Sequence, residues 1–130
     1  MDRGRLTGRR VLVVDDHAGF RATVRRLLES EGWTVVGEAA DGAAALAAAG
    51  RLRPDAVLLD IGLPDLDGFV VAERLTADGI HGIVLTSNRD EADYGGRVGE
   101  SIALSAAVGF IGKRVFDGAA FRALIAGETP

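Results

Sequence analysis

Two adjacent aspartates follow the first apolar run of the chain, and a third follows a later run of the same kind. Asp15 and Asp16 come directly after residues 11–14, and Asp60 comes directly after residues 56–59. Carboxylates at the ends of parallel strands gather in the crevice where open α/β sheets bind ligands. Three such charges within a few Å repel one another unless a cation joins them. The sequence therefore predicts a site for a hard divalent metal ion.

Asp60 is also a candidate nucleophile. It precedes a turn containing Gly62 and Pro64, which would leave its carboxylate exposed in the crevice. A carboxylate of ordinary pKa, about 4, is ionised at neutral pH and can attack a phosphoryl group without a general base. A bound Mg²⁺ would relieve the negative charge of the reacting groups. Thr86 ends a further apolar run, and Lys113 follows another. Their hydroxyl and ammonium groups could hold the remaining phosphoryl oxygens.

The elements that must position these residues alternate between short apolar runs and stretches of helical period. Five such βα repeats predict an α/β fold, a doubly wound, flavodoxin-like parallel sheet of five strands with helices on both faces. The segment 87–101 is rich in glycine and charge, and we predict a loop or frayed helix there, either a solvated insertion or a mobile flap beside the site. The predicted strands are residues 10–15, 34–38, 56–60, 82–86 and 107–111, and the predicted helices are residues 18–31, 43–51, 67–77 and 116–126.

Length and composition fit one domain. The chain has 130 residues, 48% hydrophobic and 26% charged, which predicts a single domain over residues 1–130 with its core at about 10–126. A net charge of −4, without a long basic stretch, argues against direct nucleic-acid binding. The chain has no cysteine and only two histidines, far apart in sequence, which argues against redox chemistry and a zinc motif. No apolar run is long enough for a signal peptide or membrane span, so we expect a cytoplasmic protein without membrane contact.

In combination, the motifs resemble those of response-regulator receiver domains, and the resemblance covers residues 11–125. It rests on the Asp15-Asp16 pair, on the run 60–68 (DIGLPDLDG), on Thr86 and on the run 109–113 (GFIGK). The opening Asp-Asp-His and the later run 36–39 (VGEA) are most similar to the NarL/FixJ subgroup. The resemblance implies a phosphoaccepting signalling domain rather than an enzyme with its own substrate.

The resemblance also implies a role for each matching residue. Asp60 would be the phosphoacceptor, and Thr86 and Lys113 would bind the phosphoryl group. Phe110 would be the aromatic switch residue that rotates as Thr86 moves. His17, by contrast, is interpreted as a helix-start residue without a chemical role. The implied ligands of Mg²⁺, or alternatively Mn²⁺, are Asp16 and Asp60 directly, Asp15 through water, and the Gly62 backbone carbonyl.

Three features depart from the family pattern. Arg114 stands where most receivers have proline, so the usual cis bond after Lys113 is not expected. The interval from Thr86 to Lys113 is several residues longer than usual, on a face that receivers use for partners. Gly62 replaces a larger residue, which would let water approach a phosphorylated aspartate more freely.

Several functional readings stay open at the level of sequence. The first is a stand-alone receiver that takes phosphate from a histidine kinase or phosphotransfer protein and switches binding to an unidentified protein target, with homodimerisation as one output. The second is a receiver fold that serves only as an interaction module and is not phosphorylated in the cell. The third is the receiver part of a longer regulator with a DNA-binding output domain. A metal-dependent phosphatase is disfavoured, because Gly62 stands where its second aspartate would be.

Overall fold

The computed structural model describes residues 9–88 and 107–127. Their strands form one parallel sheet in the order β2-β1-β3-β4-β5, with helices on both faces, as predicted. The strands are β1 (Arg10–Val14), β2 (Thr34–Ala39), β3 (Ala56–Asp60), β4 (Gly82–Ser87) and β5 (Gly109–Gly112). The helices are α1 (Ala18–Ser30), α2 (Gly42–Leu52), α3 (Gly68–Ala77) and α4 (Gly118–Ile125), with a 3-10 turn at Lys113–Val115.

The central strands are apolar on both faces because helices cover both sides of the sheet. Alternate residues of each strand therefore contribute to two separate cores. Leu12 and Val14 of β1 pack with the small and branched residues of α2 and α3, such as Ala45 and Val71. Val11 and Val13 pack on the other face with α1 and α4. The two cores hold the carboxyl ends of β1, β3 and β4 side by side.

Aspartates begin three of the four helices. The carboxylates of Asp41, Asp67 and Asp117 accept hydrogen bonds from backbone N–H groups in the first turns of α2, α3 and α4. These bonds satisfy donors that a helix leaves free at its amino end. At the start of α3, a Cβ on Gly68 would lie only 2.6 Å from the Ile61 Cα, so this position requires glycine if the helix is to start against the end of β3.

Glycine and proline residues in the sequence mark where three of the helices end. Gly32 and Gly79 follow α1 and α3 with φ values of 94° and 92°, which glycine adopts without strain. Pro54 keeps Arg53 out of α2, and Arg53 takes a left-handed conformation with φ 49°. Among the described residues every peptide bond is trans, including the bond between Lys113 and Arg114, where no cis bond was expected.

The structure corrects several boundaries by one or two residues, and β5, predicted at 107–111, is observed at Gly109–Gly112. Strand β1 ends at Val14, so Asp15 lies just beyond it, and α1 ends at Ser30 with Glu31 as its cap. Ser87, predicted as the start of a loop, is the buried last residue of β4. The predicted helix 116–126 starts only at Gly118, because residues before it form the 3-10 turn and Asp117 provides the cap. Residues 89–101 of the predicted loop lie outside the described residues. No described helix is long and apolar enough to cross a membrane.

Candidate functional site

The ammonium group of Lys113 lies between two buried carboxylates at the carboxyl edge of the sheet. Its Nζ is 2.7 Å from an oxygen of Asp15 and 3.3 Å from an oxygen of Asp60. The lysine begins the 3-10 turn that follows β5, and its Nζ also lies 5.0 Å from the centre of the Phe20 ring. The side chain is thereby held in the crevice, with 6% of its surface exposed. One cation thus links the ends of β1 and β3 across the sheet.

Asp60 sits at the end of β3 and is 3% exposed. One of its carboxylate oxygens accepts a hydrogen bond from the Gly62 N–H at 3.0 Å, and the other faces Lys113. Burial raises the pKa of the Asp60 carboxyl, and the charge of Asp15 raises it further, while Gly62 and Lys113 act in the opposite direction without cancelling the shift. The ionised carboxylate is therefore costly in this pocket, and a further cation would reduce that cost.

Asp15, Asp16 and His17 bring three more ligand atoms to the crevice. Asp15 is 1% exposed, whereas Asp16 and His17 are open to solvent. His17 Nδ1 lies 3.1 Å from an Asp15 oxygen and 3.0 Å from an Asp16 oxygen. One ligand atom from each of these residues and one from Asp60 all lie within 4.8 Å of one another. Sequence reasoning placed His17 correctly at the start of α1 but missed that its ring joins the cluster, although its position next to the aspartate pair was a signal for it.

Thr86 lies beside Asp60 in the sheet, because β3 and β4 pair with these residues in register. Its side chain is fully buried, and its hydroxyl makes no hydrogen bond with any described residue. A buried hydroxyl without a partner costs free energy, so such groups call for a specific explanation. An unused hydroxyl at the end of β4 is available to a ligand that would occupy the crevice.

The remaining predicted residues lie at the margins of the site. Gly62 is exposed on the turn after β3, where it forms an isolated bridge with Asp67. A Cβ on Gly62 would lie 3.8 Å from an Asp60 oxygen, an ordinary contact, so a larger residue would fit there. Phe110 pairs with Leu85 in the sheet and packs, partly buried, against the core under α2 and α3.

Two supporting residues were not found by sequence reasoning. A guanidinium nitrogen of Arg21 donates to the Asp15 carbonyl oxygen at 2.5 Å, and Arg21 also pairs with Glu38 at 2.8 Å. The Asp65 carboxylate accepts hydrogen bonds from the backbone of Gly42 and Ala43 at 2.7 and 2.9 Å, and these bonds lower the pKa of Asp65. The loop after Asp60 is thereby attached to the start of α2. Nothing in the sequence around a charged loop residue such as Asp65 indicates that its hydrogen-bond partners lie 22 and 23 residues away.

The family model of the response regulator receiver domain matches residues 11–123 of the chain. The chain belongs to the response regulator receiver domain family. Among solved structures, the signal receiver domain of NarL from Mycobacterium tuberculosis is 35% identical with a TM-score of 0.71, and the alignment covers 91% of this chain and 90% of that one. A response regulator of the LuxR family from Aurantimonas is 28% identical with a TM-score of 0.75, covering 92% of this chain and 86% of that one.

Relatives with full-length sequences extend beyond this receiver domain. A protein named as a transcriptional regulator in Pseudomonas aeruginosa is 42% identical over 106 residues, which are 81% of this chain and 49% of the relative. A protein-glutamate methylesterase/protein-glutamine glutaminase of Anaeromyxobacter dehalogenans is 46% identical over 87 residues, 66% of this chain but 25% of that protein. The chain thus spans half or less of these relatives, and the receiver is a signalling module shared by proteins with different names.

The residues present fit a divalent metal ion. Oxygen ligands suit Mg²⁺, and the three carboxylates supply them within one small volume. Lys113 carries only one positive charge against the carboxylates of Asp15, Asp16 and Asp60. Burial, and after it the charge of Asp15, keeps the pKa of Asp60 raised although Lys113 lowers it, so a further cation would favour the ionised carboxylate.

Proposed function

We propose that the chain is a phosphoaccepting receiver, with Asp60 as the residue that carries the phosphoryl group. The observation that carries this proposal is made at one edge of the sheet. There the buried carboxylate of Asp60 lies beside the Lys113 ammonium and the Thr86 hydroxyl, which has no hydrogen-bond partner among the described residues. Buried polar groups are normally satisfied, and exceptions concentrate at functional sites.

The transfer we propose is a direct displacement. A carboxylate oxygen of Asp60 attacks the phosphorus of a phosphohistidine, an O–P bond forms, and the N–P bond breaks with its electron pair going to the imidazole, which then takes a proton from solvent. Lys113 already lies 3.3 Å from Asp60, so its ammonium is placed to contact a phosphoryl oxygen. Thr86 offers its hydroxyl to a second oxygen, and Phe110 is proposed to rotate as Thr86 moves.

We assign the metal ligands to four residues. Asp16 and Asp60 are proposed as direct carboxylate ligands, Asp15 as a ligand through water, and Gly62 as a carbonyl ligand. Mg²⁺, or Mn²⁺ in its place, would supply charge neutralisation of the phosphoryl oxygens. The chain's own part is to hold Asp60 in place, through the Gly62 N–H and the attachment of Asp65 to α2.

The partners follow from the same proposal. We infer that a histidine kinase or a phosphotransfer protein donates the phosphoryl group in the cytoplasm, and that phosphorylation changes affinity for a protein target or for a second copy of the chain. The match to a longer transcriptional regulator, of which the aligned residues are 49%, supports one specific alternative, in which the same receiver controls a DNA-binding output domain.

The test is labelling with acetyl phosphate or phosphoramidate, followed by Phos-tag electrophoresis. We expect labelling of the wild-type chain with Mg²⁺, none with EDTA, and none for Asp60→Asn. The matched control is Asp41→Asn, because Asp41 is a half-buried helix cap at the same edge of the sheet and asparagine also caps helices. A wild-type chain that takes no label under any donor or metal condition would support the interaction module instead, and unchanged labelling of Asp60→Asn would reject Asp60.

A further inference from the structure

His17 contributes a nitrogen atom to the carboxylate cluster of the receiver site. Its Nδ1 lies 3.1 Å from Asp15 and 3.0 Å from Asp16, within the group of ligand atoms that Asp60 completes. We propose that His17 is an additional metal ligand, so that the site binds borderline transition-metal ions such as Co²⁺ and Zn²⁺ in preference to Mg²⁺. This inference rests on the proposed metal site and adds a selectivity to it.

The spacing of the atoms fits this role. Ligands that occupy adjacent positions around an octahedral ion with bonds of about 2.1 Å lie about 3 Å apart. The 3.0 Å between His17 Nδ1 and the oxygen of Asp16, the carboxylate proposed above as a direct ligand, matches that separation. The nitrogen and this oxygen are thus spaced as neighbouring ligands, and one oxygen of Asp60 lies within 4.8 Å of both.

The backbone around His17 directs the ring toward the cluster. The His17 N–H donates to an Asp15 oxygen at 2.8 Å, which fixes the backbone just before α1. The ring makes no capping bond with the helix, and its Nδ1 instead faces Asp15, Asp16 and, at 3.5 Å, the Lys113 ammonium. Its side chain is 57% exposed, so it can adjust to an incoming ion without disturbing the core.

The chemistry of the ligands determines the expected preference. Imidazole nitrogen suits the later ions of the first transition row, such as Co²⁺ and Zn²⁺, whereas Mg²⁺ and Mn²⁺ favour oxygen ligands and Mg²⁺ retains several waters. The chain has no cysteine and only two histidines, so His17 is the softest ligand available at this site. The other histidine, His81, lies just before β4 at the opposite edge of the sheet and is exposed.

A competing interpretation predicts the opposite effect of removing the ring. If His17 only forms hydrogen bonds to Asp15 and Asp16, an incoming ion must displace it. Truncation of His17 would then tighten the binding of every divalent ion, including Mg²⁺. A ligand role predicts weaker binding of the transition metals and little change for Mg²⁺.

The experiment measures the binding of Mg²⁺, Mn²⁺ and Co²⁺ by calorimetry to the wild type, His17→Ala and His81→Ala. We expect His17→Ala to weaken Co²⁺ binding by about tenfold or more, Mn²⁺ binding by less than Co²⁺ binding, and Mg²⁺ binding by less than about threefold. His81→Ala should match the wild type for all three ions. Pulsed electron paramagnetic resonance of bound Mn²⁺ should show coupling to an imidazole nitrogen in the wild type and in His81→Ala, but not in His17→Ala.

The outcomes separate this inference from the proposed function. Mg²⁺ binding with no nitrogen coupling to Mn²⁺ in the wild type, or tighter Mg²⁺ binding by His17→Ala, overturns the role of His17 and leaves the receiver assignment intact. Absence of binding for all three ions to the wild type overturns both. If the nitrogen signal disappears in His81→Ala, the coupled imidazole belongs to His81, and the inference about His17 is overturned.

Discussion

The two edges of the sheet use charged side chains in opposite ways. At the amino-terminal edge, three arginines donate to backbone carbonyls at or just after the ends of helices. Arg9 donates to Glu31, Arg10 to Leu52 and Arg53, and Arg53 to Asp78, at distances from 2.6 to 3.2 Å. At the carboxyl edge, carboxylates face one another around one lysine, and the Thr86 hydroxyl has no partner among the described residues.

The difference separates charges that stabilise the fold from charges that the site requires. A cation at a helix carboxyl end satisfies free carbonyls and interacts favourably with the helix dipole. Buried carboxylates that repel each other do the reverse, and such arrangements are concentrated at functional sites. Removing an arginine at the amino-terminal edge should therefore lower the free energy of unfolding. Removing a buried carboxylate at the carboxyl edge should raise it.

The largest expected effect is at the amino-terminal edge. Arg10→Ala should destabilise the protein by about 2 kcal/mol, because Arg10 donates to the carbonyls of Leu52 and Arg53 at 2.6 and 2.7 Å and hydrogen bonds to charged groups are among the stronger ones. Urea unfolding followed by circular dichroism measures this. Phosphorylation of the folded variant should be unchanged, since the site lies at the other edge.

Arg51→Ala is the matched control for Arg10. Arg51 lies in the last turn of α2, is exposed, and makes no hydrogen bond or ion pair with the described residues. Its removal should change the free energy of unfolding by less than about 0.5 kcal/mol. Equal losses for the two arginines would mean that general charge, and not the carbonyl contacts of Arg10, stabilises this edge.

At the carboxyl edge, Asp60→Asn should stabilise the metal-free protein at neutral pH by about 1 kcal/mol, the ordinary size of a single-residue effect. Asparagine keeps the shape and the acceptor for the Gly62 N–H while removing the buried charge that Asp15 opposes. Thermal unfolding in EDTA measures the change. A lower melting temperature for Asp60→Asn would show that the ion pair with Lys113 outweighs burial and repulsion.

The advantage of Asp60→Asn should depend on pH. The pKa of Asp60 is raised in the folded protein, so its ionised form is penalised by folding and its protonated form is not. The full penalty is present above the folded pKa and disappears below the unfolded value of about 3.9. The difference in melting temperature between variant and wild type should therefore shrink as the pH falls from 8 toward 4. A difference independent of pH would contradict the electrostatic explanation.

Sequence reasoning predicted the elements of the sheet and the residues at the site edge because both leave local signals. The apolar runs that become β1, β3 and β4 are continuous, as expected for strands buried on both faces. A polar residue at or just after the end of each run indicates a side chain that can reach the crevice. Pro54, Gly32 and Gly79 marked helix ends through backbone geometry alone. These features need no knowledge of distant contacts.

The features that were missed depend on long-range or subtle geometry. The sequence does not show that Asp65 reaches the start of α2, or that Arg21 contacts the Asp15 carbonyl, because long side chains choose partners only after the fold forms. The 3-10 turn at Lys113–Val115 was also missed, since a single turn of helix has no period to detect. The orientation of the His17 ring belongs to the same class. The errors therefore concentrate around the site, where local preference and global structure agree least.

The smallest expected effect tests the Thr86 hydroxyl. Thr86→Val should stabilise the metal-free protein by roughly 0.5 to 1 kcal/mol, because valine has nearly the same shape and removes a buried polar group without a partner. Thr76→Val is the matched control, since the Thr76 hydroxyl donates to the Ala72 carbonyl at 2.9 Å and its removal should be neutral or destabilising. Urea unfolding in EDTA compares the two variants.

The same variants should be titrated with beryllofluoride in the presence of Mg²⁺. Beryllofluoride should stabilise Thr86→Val against unfolding less than it stabilises the wild type, because Thr86 adjoins Asp60 in the sheet. It should stabilise Thr76→Val as much as the wild type. If Thr86→Val is destabilised in EDTA, its hydroxyl already has a partner in the free protein, and the contrast between the two edges then rests on the carboxylates alone.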